Sequence, residues 1–166
     1  MKNLFLIRHA KSDWSNSDLD DFDRPLNKRG LRDAPFMAKL LKSKIDKVDA
    51  IYSSPANRAL STANFFAESF GIDTENIIQD SNLYLSSYEI LIKCIKDFED
   101  SYQDVIMVTH NPGITDLSNY LSNVYIDNIP TTGIVALKFS EDSWKKIGKK
   151  KCKLVFFEYP KKYIKT

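Results

Sequence analysis

Cysteine and histidine are scarce in this 166-residue chain, and each scarcity excludes a class of protein. The two cysteines, Cys94 and Cys152, are too few for a disulfide scaffold and favour a reducing compartment, so we expect a cytoplasmic protein. The two histidines are His9 and His110. Because no cysteine cluster accompanies them, a zinc site of the usual kind is not expected.

The chain also lacks a strong charge excess and a long apolar run. It has 24 Lys and Arg against 22 Asp and Glu, a net charge of +2, which argues against a nucleic-acid partner. The apolar run at the N-terminus is too short for a signal segment, and no run approaches the roughly 20 residues of a membrane span. We therefore expect one domain over residues 1–166, with no membrane and no nucleic acid as partner; the oligomeric state is not readable from the sequence.

Short apolar runs alternate with helical patterns along the chain. Five runs read as strands, at residues 4–7, 50–52, 105–108, 134–137 and 154–157. Four apolar stripes with helical spacing fill the intervals, at residues 31–41, 59–70, 90–98 and 114–121. This alternation predicts an α/β protein, a three-layer α/β/α sandwich with a mainly parallel central sheet. The last two strands are expected to pair antiparallel at one end.

Local signals refine the helix starts. Pro35 is tolerable only in the first turn of its helix. The segment from Ser86 to Glu89 matches a capping box. The polar, acidic stretch at residues 12–23 reads as a long loop, and the Lys-rich stretch at residues 145–153 as a solvated turn.

Both histidines follow predicted strands directly. His9, preceded by Arg8, follows the first strand, and His110 follows the strand at residues 105–109. Ligands of parallel sheets bind at the carboxyl ends of the strands, so both rings are expected at one rim. A purely structural role would explain one such histidine. It is a poor explanation for two histidines at the same rim, one of them preceded by an arginine.

Two helix starts are predicted at the same rim. Ser54 can cap a helix that has Pro55 at its first position, which places Arg58 about one turn in. Asn111 and Pro112 repeat this arrangement after His110. Free N–H groups at both helix ends, together with the guanidiniums, suit a bound phosphoryl group.

Phosphoryl transfer to histidine is the chemistry that such a pocket favours. A neutral imidazole is a good nucleophile near neutral pH, and one ring nitrogen can attack while a backbone carbonyl holds the other. The arginines stabilise the charge of the transferring group and lower the histidine pKa. The reaction needs neither a metal nor another cofactor.

Four segments, in order, resemble the histidine phosphatase superfamily, whose fold is that of phosphoglycerate mutase. Arg-His-Ala at residues 8–10 is similar to its Arg-His-Gly motif, with Ala10 in place of glycine. The segments at residues 23–30, 52–63 and 109–113 are similar to its later motifs. The small size and the segment at residues 130–133 look most like the SixA-type branch, whose members are phosphohistidine phosphatases.

The resemblance implies roles for individual residues. His9 would be the nucleophile that becomes phosphorylated, and Arg8, Arg58 and His110 would complete the catalytic pocket. Three further residues would bind substrate or border the pocket: Ser15, Thr132 and Gly133. The implied partner is a phosphorylated protein, a histidine phosphotransfer domain; a small phosphorylated metabolite is the alternative.

One position departs from the superfamily pattern. Many relatives place a glutamate as general acid where Tyr84 stands here, so simple phosphate esters are expected to be poor substrates. Core packing beside Leu83 and Leu85 is the plainer interpretation of Tyr84, and Asp13 and Glu89 stay open as acids. Two other functions also stay open: a small-molecule phosphatase for a sugar or nucleotide phosphate, and a non-catalytic phosphate-binding module.

Overall fold

The computed structural model describes residues 1–165, so the last residue of the predicted domain lies outside the described part. These residues form six strands, four α-helices and five short 3₁₀ helices. The strands are β1 (Lys2–Arg8), β2 (Ala50–Ser53), β3 (Ile78–Gln79), β4 (Asp104–Thr109), β5 (Ile134–Phe139) and β6 (Cys152–Glu158). The helices are α1 (Lys28–Lys44), α2 (Asn57–Ser69), α3 (Tyr88–Lys96) and α4 (Gly113–Leu121).

All six strands form one sheet in the order β3-β2-β4-β1-β5-β6. The pairs β3–β2, β2–β4 and β4–β1 are parallel, whereas β1–β5 and β5–β6 are antiparallel. The predicted mainly parallel sheet with an antiparallel end is therefore confirmed. The sequence prediction missed β3, which has only two residues and lies at the edge of the sheet.

Helices cover both faces of the sheet, as the continuous apolar strands predicted. In β1, Leu4 and Leu6 face a core that includes side chains of α3 and α4, while Phe5 and Ile7 face a core that includes side chains of α1 and α2. All four residues are at most 5% exposed. A strand segment buried on both faces has no polar side to alternate with, which is why residues 4–7 are all apolar.

The structure corrects two expectations about α1. Pro35 lies in the interior of the helix, whose first residue is Lys28, and not in the first turn. Leu31 is 53% exposed, whereas Ala34, Ala38 and Leu41 are buried as expected. Proline has no N–H to bond the Leu31 carbonyl, and Leu31 itself lies on the exposed side of α1.

The starts of α2 and α4 also differ from prediction. Helix α2 follows Ala56, because Ser54 Oγ accepts the Ala56 N–H and the chain turns once more before the helix. Helix α4 begins after Pro112, because the Asn111 side chain bonds Asn128 and Thr115 instead of capping.

The predicted capping box of α3 is not formed. Ser86 Oγ donates to the Tyr84 carbonyl instead, and the residue that precedes the helix is Ser87. Phe98, the last residue of the predicted stripe, lies beyond the end of α3 but is buried. Within residues 1–165, no helix is long and apolar enough to cross a membrane.

Candidate active site

The carboxyl ends of β1, β2 and β4 lie side by side and bring the predicted pocket residues together. Arg8 is the last residue of β1, and His9 follows it. Arg58 is the second residue of α2, just beyond β2, and His110 directly follows β4. Because these three strands are neighbours and run parallel, their ends open on the same rim.

A cavity of about 220 Å³ lies at this rim. Ten of the described residues line it: Arg8, His9, Lys11, Ser12, Trp14, Arg58, Leu85, His110, Asn111 and Thr131. The four residues that the sequence assigned to the pocket are among them. The volume is below the roughly 300–1,000 Å³ of pockets that enclose drug-sized ligands, so the cavity suits a small charged group.

The His9 ring is held in one orientation by the backbone of the next residue. Its Nδ1 lies 2.8 Å from the Ala10 carbonyl oxygen, and the Ala10 N–H donates to Thr62 Oγ1. A carbonyl can only accept, so Nδ1 carries the hydrogen and Nε2 keeps a free lone pair. Burial, opposed by the Ala10 bond and assisted by Arg58 and Arg8, lowers the pKa of His9 to about 4. The ring is therefore neutral near pH 7.

His110 stands beside His9, with 5.0 Å between the ring centroids. It is 2% exposed, and its Nε2 lies 2.8 Å from Ser54 Oγ. Burial, and then the neighbouring His9 and Arg58, lower the pKa of His110 to about 3. The cavity is therefore bordered by two neutral imidazoles, two guanidinium groups and the side chain of Lys11.

Arg8 is fixed by the loop that precedes β5. Its Nη1 donates to the Ile129 carbonyl at 2.8 Å, and burial lowers its pKa. The backbone of Arg8 is held by the same loop, because its N–H donates to the Gly133 carbonyl and its own carbonyl accepts the Thr132 N–H. Arg8 Nε is buried with no partner among residues 1–165, which leaves a donor for an anionic ligand.

Arg58 is 4% exposed and is held by Asp21, a residue that the sequence analysis did not single out. Arg58 Nη1 donates to the Asp21 carbonyl at 2.6 Å, and Nη2 donates to Asp21 Oδ2 at 2.9 Å. Tyr84 Oη donates to the same Oδ2 at 2.6 Å. Burial raises the pKa of Asp21, but the bonds from Tyr84 and Arg58 outweigh it, and the pKa ends below its usual value. Asp21 is therefore ionised at neutral pH.

Tyr84, the departure noted in the sequence, belongs to this site. Its ring packs edge-on against His110 with 5.3 Å between centroids, and against Phe22 at the same distance. The alternative expectation is that Tyr84 packs in the core beside Leu83 and Leu85. Leu83 is buried in the core, but Leu85 is 54% exposed and lines the cavity. Tyr84 thus links His110 to Asp21.

The structure places the other candidate residues outside the cavity lining. Ser15 is exposed, in a turn where its N–H donates to Asp13 Oδ1. Thr132 and Gly133 hold the backbone of Arg8, while the neighbouring Thr131 lines the cavity. Glu89 is exposed at the start of α3. Neither Asp13 nor Glu89 is among the ten lining residues of the described chain.

Glycine is required where α4 meets the loop that carries Tyr84. A Cβ on Gly113 would lie 2.2 Å from the Ser86 carbonyl oxygen, so the close approach admits no side chain. This contact places the start of α4, and with it His110, against the loop. The Gly of the Asn-Pro-Gly segment is thus explained by packing.

The sequence and structure are similar to those of known proteins. The model of the histidine phosphatase superfamily (branch 1) matches residues 4–84. An uncharacterised chloroplastic protein of Arabidopsis thaliana is 30% identical over 86% of this chain and 69% of its own length. The "putative phosphoserine phosphatase 2" of Hydrogenobacter thermophilus is 29% identical over 79% of this chain and 58% of its own length.

A solved structure extends the similarity to the whole fold. The "putative phosphohistidine phosphatase SixA" of Agrobacterium tumefaciens is 27% identical and has a TM-score of 0.77. The alignment covers 96% of this chain and 98% of that one. The likeness therefore includes β5 and β6, which lie beyond the segment matched by the family model.

Proposed function

Given that the chain belongs to the histidine phosphatase superfamily and is a phosphatase of that superfamily, we propose that its substrate is phosphohistidine in a protein and that His9 is its nucleophile. The observation that carries the proposal is the bond between His9 Nδ1 and the Ala10 carbonyl at 2.8 Å. It leaves Nε2 as a neutral, directed lone pair in a cavity lined by two guanidiniums.

The proposed reaction has two displacements at phosphorus. In the first, His9 Nε2 attacks, the bond from phosphorus to the substrate's imidazole nitrogen breaks, and the imidazole leaves with a proton from solvent. In the second, water attacks phospho-His9, gives up a proton, and releases inorganic phosphate with free His9. Arg8 and Arg58 stabilise the charge on the equatorial oxygens in both steps, and His110 donates to one of them.

The carboxylate of the site favours a phosphoramidate over an ester. An alkoxide leaving group needs a proton from the enzyme, but Asp21 is ionised and accepts hydrogen bonds from Arg58 and Tyr84. In phosphohistidine, the ring nitrogen that does not carry the phosphoryl group is basic. It takes a proton from solvent before the bond to phosphorus breaks, so the imidazole leaves as a neutral group. A site without a protonated carboxyl group is therefore adequate for phosphohistidine.

The surroundings of the cavity favour a protein substrate. Trp14 and Leu85 line it and are 63% and 54% exposed, and Phe22, whose ring packs against that of Tyr84, is 39% exposed. Large apolar side chains exposed around a small charged cavity are typical of a protein-binding surface. A histidine phosphotransfer domain with an accessible phosphohistidine fits such a site.

A small phosphorylated metabolite is the second candidate substrate. The similarity to the "putative phosphoserine phosphatase 2" of Hydrogenobacter thermophilus favours it. A comparison of turnover decides between the two: a phosphohistidine peptide and a phosphotransfer domain against phosphoserine, phosphotyrosine and a panel of sugar phosphates. We expect kcat/KM for the phosphohistidine substrates to exceed the others by at least about tenfold; a preferred small ester would overturn the substrate proposal.

Covalent labelling tests the nucleophile separately. Incubation with a labelled phosphodonor is expected to give an acid-labile phosphoprotein in the unaltered chain and none in His9→Ala. The matched control is Cys152→Ser, which alters a side chain bonded to the Leu121 carbonyl outside the cavity lining. Turnover that survived in His9→Ala would overturn the proposed mechanism, and binding of phosphate without turnover would identify a non-catalytic module.

A further inference from the structure

The hydrogen bond between Ser54 and His110 determines which nitrogen of His110 carries its hydrogen. Ser54 Oγ lies 2.8 Å from His110 Nε2. A hydroxyl can donate or accept, and a neutral imidazole has one nitrogen of each kind. The direction of this one bond therefore assigns the tautomer of the ring.

The other partner of Ser54 settles the direction. Ser54 Oγ already accepts the Ala56 N–H at 3.3 Å, and the residue is fully buried. If Oγ also accepted from His110, its own hydrogen would be buried without an acceptor among residues 1–165, which folded proteins rarely allow. The Ser54 hydroxyl therefore donates to Nε2.

This direction leaves a specific donor on the other side of the His110 ring. Because burial lowers the pKa of His110 to about 3, the ring has a single N–H hydrogen near neutral pH, and it lies on Nδ1. Among residues 1–165, Nδ1 is buried and has no hydrogen-bond partner. The ring lines the cavity together with Arg8, His9 and Arg58, so an anionic oxygen is the acceptor that suits this N–H.

We propose that Ser54 is a positioning residue that holds His110 as the Nδ1–H tautomer, so that Nδ1–H is offered to a phosphoryl oxygen. The tautomer follows from the hydrogen bonds of Ser54 and the neutrality of the buried ring, whereas its use rests on the proposed function. The sequence pattern assigned Ser54 to a helix cap. The structure shows the same hydroxyl turned between the Ala56 N–H and the His110 ring.

NMR of the histidine ring nitrogens tests the tautomer without any assay of activity. The chain has only two histidines, so two ring systems contribute to the spectrum. Near pH 7, we expect both as Nδ1–H tautomers, His9 because of the Ala10 carbonyl and His110 because of Ser54. His110 found as the Nε2–H tautomer in the unaltered protein would overturn the proposal, whatever the substrate proves to be.

Variants then test the cause. In Ser54→Ala we expect the His110 tautomer to shift toward Nε2–H while the His9 signals stay unchanged; Ser54→Thr, which keeps the hydroxyl, restores Nδ1–H. Ser53→Ala is the matched control, because Ser53 is also buried and its hydroxyl bonds only the Ser54 carbonyl among residues 1–165. An unchanged His110 tautomer in Ser54→Ala would overturn the assigned cause.

Measurement of kcat tests whether His110 Nδ1–H donates to the phosphoryl group during the reaction. We expect kcat of Ser54→Ala to fall by about tenfold or more, the usual cost of removing a residue that orients a catalytic group, with recovery in Ser54→Thr. A shifted tautomer with unchanged kcat would refute the role of Nδ1–H at the phosphoryl group. If His9→Ala remained active while the tautomers were as described, the proposed function would fail and the Ser54 assignment would stand.

Discussion

The free energy of unfolding is expected to fall steeply as the pH drops from about 8 to about 5. The protonation of the two histidines is sufficient to cause this fall. Their pKa values in the folded protein are about 4 for His9 and about 3 for His110, against 6.5 for an ordinary histidine. Below pH 6.5 both histidines bind protons in the unfolded chain but stay neutral in the folded protein. Stability is therefore complete above the ordinary pKa and is lost as the pH falls toward the folded values.

The magnitude follows from these values. At pH 5, an unfolded histidine of pKa 6.5 is almost fully protonated, while both folded rings are still neutral. The linkage relation then gives a loss of about 2 kcal/mol for each ring between pH 8 and pH 5, or about 4 kcal/mol together. That loss is a large fraction of the roughly 5–15 kcal/mol that stabilises a typical domain.

Urea unfolding at pH 8 and pH 5 measures this loss of free energy of unfolding. The low histidine content of the chain makes the loss easy to assign. Histidine is the one side chain whose ordinary pKa lies between pH 5 and 8, and this chain has only two. We expect His9→Gln and His110→Gln each to remove about half of the loss, and the double variant to remove nearly all of it. Buffers free of phosphate and sulfate are needed, since an anion bound to the folded state would add its own stabilisation.

Two outcomes would refute this reasoning. A free energy of unfolding that stayed constant from pH 8 to pH 5 would mean that the rings are protonated in the folded protein as easily as in the unfolded chain. A loss that persisted in the double variant would assign the pH dependence to other groups. Either result would remove the basis for a neutral His9 nucleophile at acidic pH.

Three further predictions concern single side chains around the site. Gly113→Ala is expected to lower the free energy of unfolding by about 2 kcal/mol or more in urea titrations, because its Cβ would lie 2.2 Å from the Ser86 carbonyl oxygen; unchanged stability would contradict this contact. Asp21→Asn removes the negative partner of Arg58, so we expect a loss of about 1–3 kcal/mol, and a larger rise in Tm on adding inorganic phosphate than in the unaltered protein, measured by thermal unfolding. Trp14→Ala, at a position 63% exposed, is expected to change stability by no more than about 1 kcal/mol, but to reduce kcat/KM for a phosphorylated protein more than for a small phosphoramidate.

Much of the fold could be predicted because its signals are local. The runs in β1 and β4 are apolar at every position, which indicates strands covered on both faces, and histidine follows each of them. Parallel pairing then forces His9 and His110 to the same rim without knowledge of any contact. The helix starts were less predictable, since Asn111 bonds Asn128, a residue 17 positions away, in preference to its own helix.

The position of Asp21 could not be read from the sequence, because nothing local distinguishes it within the acidic stretch at residues 12–23. Its role comes from contacts with Arg58 and Tyr84, which are 37 and 63 residues away.

The contact between Asp21 and Arg58 compensates the buried positive charge of Arg58. Arg58 is 4% exposed, and a buried cation without a partner would be costly between turnovers. The Asp21 side chain is 38% exposed, so its negative charge offsets that of Arg58 and still remains close to water. A phosphoryl group that binds Arg58 therefore competes with a partly solvated carboxylate. Solvent weakens the attraction of that carboxylate for Arg58, so it competes less strongly than a buried carboxylate would. On this argument, phosphate affinity is expected to rise in Asp21→Asn, even though the folded protein becomes less stable.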